Sequence, residues 1–172
     1  TLGERTRYLM GYFAKSYIRA HQHSAGAASK EPQATGKSRW VNTSKIHFAF
    51  DALGLPVAFE ITGGEINDFT IAPELIEELP PAKTMVGDKG YDSVRIRKLI
   101  TSKSARAAIP RKENSRIGND DIDWCLYKYR HLVGNAFARL NQCRAIATRY
   151  DRLMRNHESM VAMVCGYLWL PM

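Results

Sequence analysis

An α/β fold built on a mixed sheet is what this sequence predicts, and three observations carry that prediction. The first 62 residues hold short runs rich in aromatic and β-branched side chains, separated by breaks bearing Gly, Pro and Asp. Residues 70–109 then alternate helical and strand-like patterns, as crossover connections do. Beyond residue 120 the apolar residues recur at intervals of three and four, the spacing of long amphipathic helices.

Residues 8–19 are dense in Tyr, Phe, Met and Ile and read as one strand, or two. Residues 24–39 are small and polar, with Gly26, Pro32 and Gly36 as breakers, and read as a loop whose Lys30, Lys37 and Arg39 could touch phosphates. Residues 45–50 alternate, Asp51 to Gly54 turn the chain, and residues 56–62 run back, which makes a β-hairpin. Asp51 serves that turn, because Asp hydrogen-bonds its own backbone well there. After Gly63-Gly64 comes a short acidic helix over 70–79, stopped by Pro80-Pro81. A strand over 84–86, a helix over 93–102 with Val94, Ile96, Leu99 and Ile100, and a strand over 105–109 ended by Pro110 complete the crossovers. Residues 111–119 form a basic loop. Ile122, Leu126, Tyr129, Val133, Phe137, Leu140 and Cys143 then predict one long amphipathic helix, and residues 155–170 a second, more apolar one.

The chain has 172 residues, enough for a single domain with a proper core, and 45% hydrophobic content suits that reading. Its formal net charge of +8 is less ordinary, and it is unevenly spread. Residues 1–47 hold eight Lys and Arg against two acids, and residues 101–155 hold twelve against five; residues 48–100 reverse the balance, five against nine. Two basic flanks around an acidic middle suit a polyanion gripped on both sides of a site, although generic surface basicity gives the same totals. Cys125, Cys143 and Cys165 include no CxxC pair, so a reduced, cytoplasmic chain without a zinc site is expected. The apolar tract 160–170 is too short to span a bilayer, and no membrane association is expected. The chain opens on Thr1 without a leader-like segment, and the expectation is that an N-terminal region is missing.

The organising stretch is Thr84-Met-Val-Gly-Asp-Lys-Gly-Tyr-Asp92. A short apolar strand ends at Gly87, which permits close backbone approach, and Asp88 follows at once. A carboxylate at the carboxyl end of a buried strand stands where α/β sheets place their chemistry. It also stands where an Asp caps a following helix, here one starting near Ser93, and local pattern alone leaves both roles open.

Several motifs around it resemble one family. Arg19-Ala-His-Gln-His-Ser-Ala-Gly26, Lys45-Ile-His47, Asp51-Ala-Leu-Gly-Leu-Pro-Val57, Asp88-Lys-Gly-Tyr-Asp92 and the run from Arg144 to Asp151 together resemble bacterial insertion-sequence transposases of the DDE type. The resemblance covers about residues 12–170 and implies a ribonuclease-H-like mixed sheet flanked by helices, with two long helices at the C-terminus. It also implies strand cleavage and joining by Mg²⁺ or Mn²⁺, two ions about 3.5–4 Å apart clamping the attacking and leaving oxygens. Three carboxylates hold such a pair. Asp88 matches the second, as metal ligand and catalytic residue. The first falls five residues before Arg19, at Ala14. The third belongs to a helical Tyr-Arg-Glu-Lys frame that here reads Tyr127, Arg130, Gly134 and Asn141.

Ala14 and Gly134 carry no side-chain oxygen, and one carboxylate cannot fill two metal shells. Lys15 beside Ala14 opposes a cation further. The expected reading is therefore a transposase core whose catalysis is defective and whose hold on double-stranded DNA persists, in the cytoplasm and with the nucleoid. The candidate DNA contacts are Arg19, Lys45, Lys89, Tyr127, Arg130, Arg139, Arg144 and Arg149, with His47 near the cleft, and the resemblance puts His21 and His23 in a packing and phosphate element. Two alternatives stand beside it: an active enzyme that recruits Asp51, Asp68 or Asp92, and a non-catalytic interaction module that dimerises through the 160–170 helix.

Overall fold

The computed structural model describes residues 10–24, 33–38, 41–113 and 115–170. The predicted strand starts at Tyr8 and Leu9, and the candidate phosphate contacts Lys30 and Arg39, lie outside these residues. Among the described residues seven strands make one mixed sheet. Strand β1 (Met10–Ala20) is unbroken and central. It pairs antiparallel with β3 (Val41–Phe50) and parallel with β5 (Thr84–Gly87). Beyond β3 lie β2 (Gly36–Ser38) and β4 (Pro56–Gly63), each pairing a different part of its length. Beyond β5 lies β6 (Arg106–Ala108), also parallel, and β7 (Thr148–Arg149) joins the far end of β1.

The β3–β4 hairpin forms as the pattern predicts. Asp51 accepts the backbone N–H groups of Leu53 and Leu55, both at 2.9 Å, and Gly54 supplies the positive φ of 75° that the turn requires. Two short strands escaped the sequence reading: β2 sits inside the predicted loop, and β7 is too short to show a period. Neither has a local pattern to reveal it, because both exist only through pairing with longer neighbours.

Two cores lie on opposite faces of the sheet. Helices α1 (Asp68–Glu78) and α2 (Val94–Ser102) cover one face, where Phe13, Leu75, Ile76, Met85, Tyr91, Ile96 and Ile100 are buried. The C-terminal helices cover the other, against Tyr12, Ala14, Ile18, Ile46, Phe48, Phe50 and Val86. Alternation along β1 thus sends Phe13 to one core and Ala14 to the other, as a period of two demands.

The predicted single long helix is corrected. It is divided into α3 (Trp124–Lys128), α4 (His131–Asn141) and α5 (Arg144–Ala147). At the first break Tyr129 N–H bonds Leu126, Arg130 bonds Tyr127, Leu132 bonds Tyr129 and Val133 bonds Arg130. Each donor reaches back three residues instead of four, so the ladder tightens there without losing its direction. The final helix, α6 (Met154–Leu168), buries His157, Val161, Cys165 and Leu168. Among the described residues no helix is long and apolar enough to cross a membrane.

Candidate functional site

The site lies where β1 and β5 run side by side. Their parallel register pairs Phe13 with Gly87, so Ala14 and Asp88 come next on adjacent strands. A Cβ at Gly87 would run into the ring of Phe13, which explains why the strand ends on glycine. Asp88 leads into a short 3₁₀ turn, Lys89–Tyr91, but makes no side-chain capping bond there. Nor does it cap α2, whose N-cap is Ser93. Its Oδ2 instead meets Arg130 Nη2 at 3.0 Å, with both side chains 38% exposed. The capping alternative therefore fails, and the carboxylate is held across the cleft by the residue that opens α4.

Gly134 lies four residues beyond Arg130, one turn along α4. It is exposed, and a Cβ there would meet nothing within 4 Å. Ala14 is buried, 3% exposed, in the core shared with α4. Of the three positions that the family resemblance assigns to carboxylates, Ala14 and Asp88 are neighbours on adjacent strands, Gly134 lies one helical turn from the partner of Asp88, and only Asp88 bears a carboxylate.

Beside Asp88 lies a cluster of two lysines and an aspartate. Lys15 and Lys45 both ion-pair Asp68, Lys45 Nζ at 3.0 Å from Oδ1 and Lys15 at Oδ2. Burial pulls the Lys15 pKa below its usual value, and nearby Asp88 partly restores it. Gly90 passes directly over this pair, close enough that a Cβ would lie 3.1 Å from Lys15 Nζ. Tyr91 is fully buried, its hydroxyl 3.3 Å from His47 Nδ1, and His47 Nε2 is 3.1 Å from Thr62 Oγ1. Burial, then Lys45 and Lys15, hold His47 down to about 3, so its ring stays neutral. Burial, with Asp88 next, pushes the Tyr91 phenol well above its usual value. Tyr127 is raised chiefly by burial, in the combined field of Arg130, Asp88 and Lys89.

The cleft therefore brings Asp88, Lys89, Tyr127 and Arg130 into one neighbourhood, with Lys15 beside them. Arg19, Arg139 and Arg144 lie elsewhere. Arg19 is exposed five residues farther along β1, roughly 17 Å away at about 3.4 Å per residue. Arg139 and Arg144 stand toward and beyond the far end of α4.

Two assigned contacts are corrected. Lys45 is 3% exposed and also donates to the Ile66 carbonyl, so its ammonium is spent inside the fold. Arg149 is completely buried, bonding Ser44 Oγ at 2.9 Å, the Ala34 carbonyl at 3.3 Å and the Asp151 carbonyl at 3.1 Å. A guanidinium wholly inside the protein cannot meet a phosphate on its surface. The sequence reading missed Asp68 as the partner of two lysines; its only local signal was an acid opening the helix after Gly63-Gly64.

Divalent metal does not fit these residues. Mg²⁺ needs hard oxygen donors in near-octahedral array, and the cleft offers one carboxylate already paired with Arg130. The candidate substitutes are committed elsewhere: Asp51 to its turn, Asp68 to the two lysines, and Asp92 to Arg97 at 2.9 Å. Among the described residues no group of three or more His, Cys, Asp or Glu side chains could hold an ion.

Sheet order, crossovers and a carboxylate at the end of β5 define a ribonuclease-H-like core. Known proteins bear this out. The family model for the transposase DDE domain matches residues 16–169, and the chain belongs to that family. The transposase assigned to insertion sequence element IS6501 of Brucella ovis is 31% identical over 128 residues, covering 74% of this chain and 98% of that one. The transposase assigned to element IS402 of Burkholderia cepacia is 28% identical over 151 residues, 81% of this chain and 68% of that one. The cryo-EM structure of the piggyBac transposase synaptic complex with hairpin DNA shares the fold, with a TM-score of 0.51 at 10% identity. That match covers 91% of this chain and 44% of the piggyBac chain.

Proposed function

We propose that this domain is an insertion-sequence transposase core that holds duplex DNA at its cleft but does not cut or join it. The observation that carries the reading is the Asp88–Arg130 ion pair at 3.0 Å, set beside Ala14 and one helical turn from Gly134. In-line displacement at phosphorus needs two oxygens clamped by metal, and among the described residues the donor set for that clamp is absent. Holding DNA needs only cations near phosphates. Lys15, Lys89 and Arg130 border the cleft, and Lys89 is 55% exposed. The family relationship and the net charge of +8 support duplex DNA as the partner.

Nicking of supercoiled plasmid in Mg²⁺ or Mn²⁺, with Asp88→Asn as the control, tests this reading. The expected result is nicking no higher in the wild type than in the variant, together with salt-sensitive duplex binding by both. Metal-dependent nicking that disappears in the variant would overturn it and return the domain to the active transposases.

A second reading rests on α6 and the turn that follows it. Met163, Tyr167 and Leu170, spaced by four and three residues, are 64%, 62% and 60% exposed. An apolar stripe of that kind suits self-association through the C-terminal helix. Sedimentation across a hundredfold concentration range tests it, and a constant monomer mass rules it out.

A further inference from the structure

Beyond the cleft, a second basic site lies at the opposite edge of the sheet from β4. Strand β6 pairs only with β5 among the described residues, and a cavity of about 660 Å³ opens beside it. Its walls include Lys83, Arg97, Arg106 and Arg111 against the single carboxylate of Asp121. Two of the cations are structural. Arg97 is anchored to Asp92 Oδ1 at 2.9–3.0 Å and to the Ile109 carbonyl at 2.6 Å. Arg111 is forked onto Asp121, Nη2 to Oδ2 at 2.7 Å, and onto the Gly118 carbonyl.

Those pairs consume the nearby carboxylates and leave the other two cations unanswered. Lys83 is exposed and forms no side-chain bond among the described residues. Arg106 is exposed and donates one Nη2 N–H to the Asp121 carbonyl at 2.8 Å, with no acid as partner among the described residues. Two pinned guanidiniums and two cations without an acidic partner among the described residues, all lining one cavity, make a cradle for a group with several negative oxygens.

The cradle is tethered to the cleft. Asp92, which holds Arg97, also accepts the Lys112 backbone N–H at 3.1 Å, and Lys89 ion-pairs Glu113 at 3.2 Å. The turn that follows Asp88 is therefore tied to the loop that borders the cavity. Thr84, which opposes Arg106, precedes Asp88 by four residues, roughly 13 Å of strand at about 3.3 Å each. A duplex rises about 3.4 Å per base pair, so that offset is roughly four base pairs.

We propose that the β6-edge cavity binds backbone phosphates of the same DNA duplex that occupies the Asp88 cleft, with Lys83 and Arg106 as the contacting residues. This rests on the reading of the domain as a DNA-binding transposase core. It extends the DNA path from the cleft, past the 111–113 loop, around the sheet edge. The contacts carry no base preference, because they are made to phosphate alone.

Equilibrium binding of a 30-base-pair duplex, followed by fluorescence anisotropy from 50 to 200 mM salt, tests the site. The variants are Lys83→Gln, Arg106→Gln and their combination, with Arg155→Gln, on α6 at the other side of the sheet, as the charge-matched control. Each site variant is expected to make the log affinity–log salt slope shallower by about 0.9, and the pair by about 1.8. Over that fourfold salt range the double variant then loses about 12-fold less affinity than the wild type. The control keeps the wild-type slope. A double variant with the wild-type slope, or a control that shifts as much as either single variant, overturns the site. Lys83→Gln removes no bond from the fold, so its result stands even if Arg106→Gln weakens the structure. Failure of the wild type to bind the duplex at all overturns the DNA reading itself, and this site with it.

Discussion

Asp88→Asn should tighten DNA binding rather than weaken it. The substitution keeps the shape of the side chain and removes one negative charge from a cleft bordered by Lys15, Lys89 and Arg130. It also releases Arg130 Nη2 from its partner at 3.0 Å. For a phosphate roughly 6 Å from the lost charge, the repulsion relieved is about 0.7 kcal/mol at a water-like dielectric and about 2.8 kcal/mol at an effective dielectric of 20. Asp88 is 38% exposed, so the lower part of that range applies, about 1 kcal/mol or fivefold in affinity. A freed Arg130 that takes a phosphate steepens the salt slope by about 0.9. The fold should hardly notice, since an ion pair this exposed contributes about 0–1 kcal/mol. Fluorescence anisotropy on wild type and variant at several salt concentrations, with thermal denaturation as a check, reads all three quantities. Equal or weaker binding by a folded variant, with no steeper slope, refutes the reasoning and implies that Asp88 contributes to holding DNA through something other than its charge.

Arg149→Ala should destabilise the fold by about 3 kcal/mol, through loss of a fully buried side chain and its charge-assisted hydrogen bonds. At this chain length that lowers the melting temperature by roughly 6–12 °C, while the salt slope for DNA stays at the wild-type value. An unchanged melting temperature with a shallower slope would return Arg149 to the DNA contacts. Acid should also unfold the protein early. His47 is held down to about 3 by burial and the two lysines, and His157 to about 4 by burial and Arg149. Both folded values lie below the unfolded value near 6.5, so the unfolded chain takes up more protons between them. Their stabilising contribution is complete above about pH 6.5 and is lost as pH falls toward 4 and 3. Two such groups give a slope approaching about 2.7 kcal/mol per pH unit. Glu60, whose carboxyl burial raises, works in the opposite direction and moderates it. Urea unfolding between pH 7 and 4.5 measures the slope, and His47→Gln should flatten it.

How much could be read without the fold follows from the range of each interaction. Alternating runs, turn residues and helical spacing are local, and they determined the hairpin, the crossovers and the placement of Asp88 at a strand end. The motif spacing also pointed to the family, and it is the resemblance that puts Ala14 and Gly134, single letters in a countable frame, at two carboxylate positions. The break before α4 was not legible. The apolar period runs through it unchanged, and only the hydrogen bonds, reaching back three residues at Tyr129 and Arg130, mark it.

Charge was the property the sequence could least place. Lys45 and Arg149 look like any surface cations in a basic chain, yet both are inside. Lys45 meets Asp68 across 23 residues, and Arg149 meets Ser44 across 105. Burying a charge is tolerable only where partners wait for it, and partners that far apart are assembled by the sheet alone. The same holds for the β6-edge cavity: its basic loop was visible as composition, but which cations are pinned and which are left free was decided by Asp92 and Asp121 arriving from other elements. The sequence by itself determined the family frame and which letters occupy it, because the identity of a residue at a counted position needs no fold to be noticed. Only the tertiary structure decided which of the remaining charges face outward, because a charge's role depends on the distant partner that neutralises it.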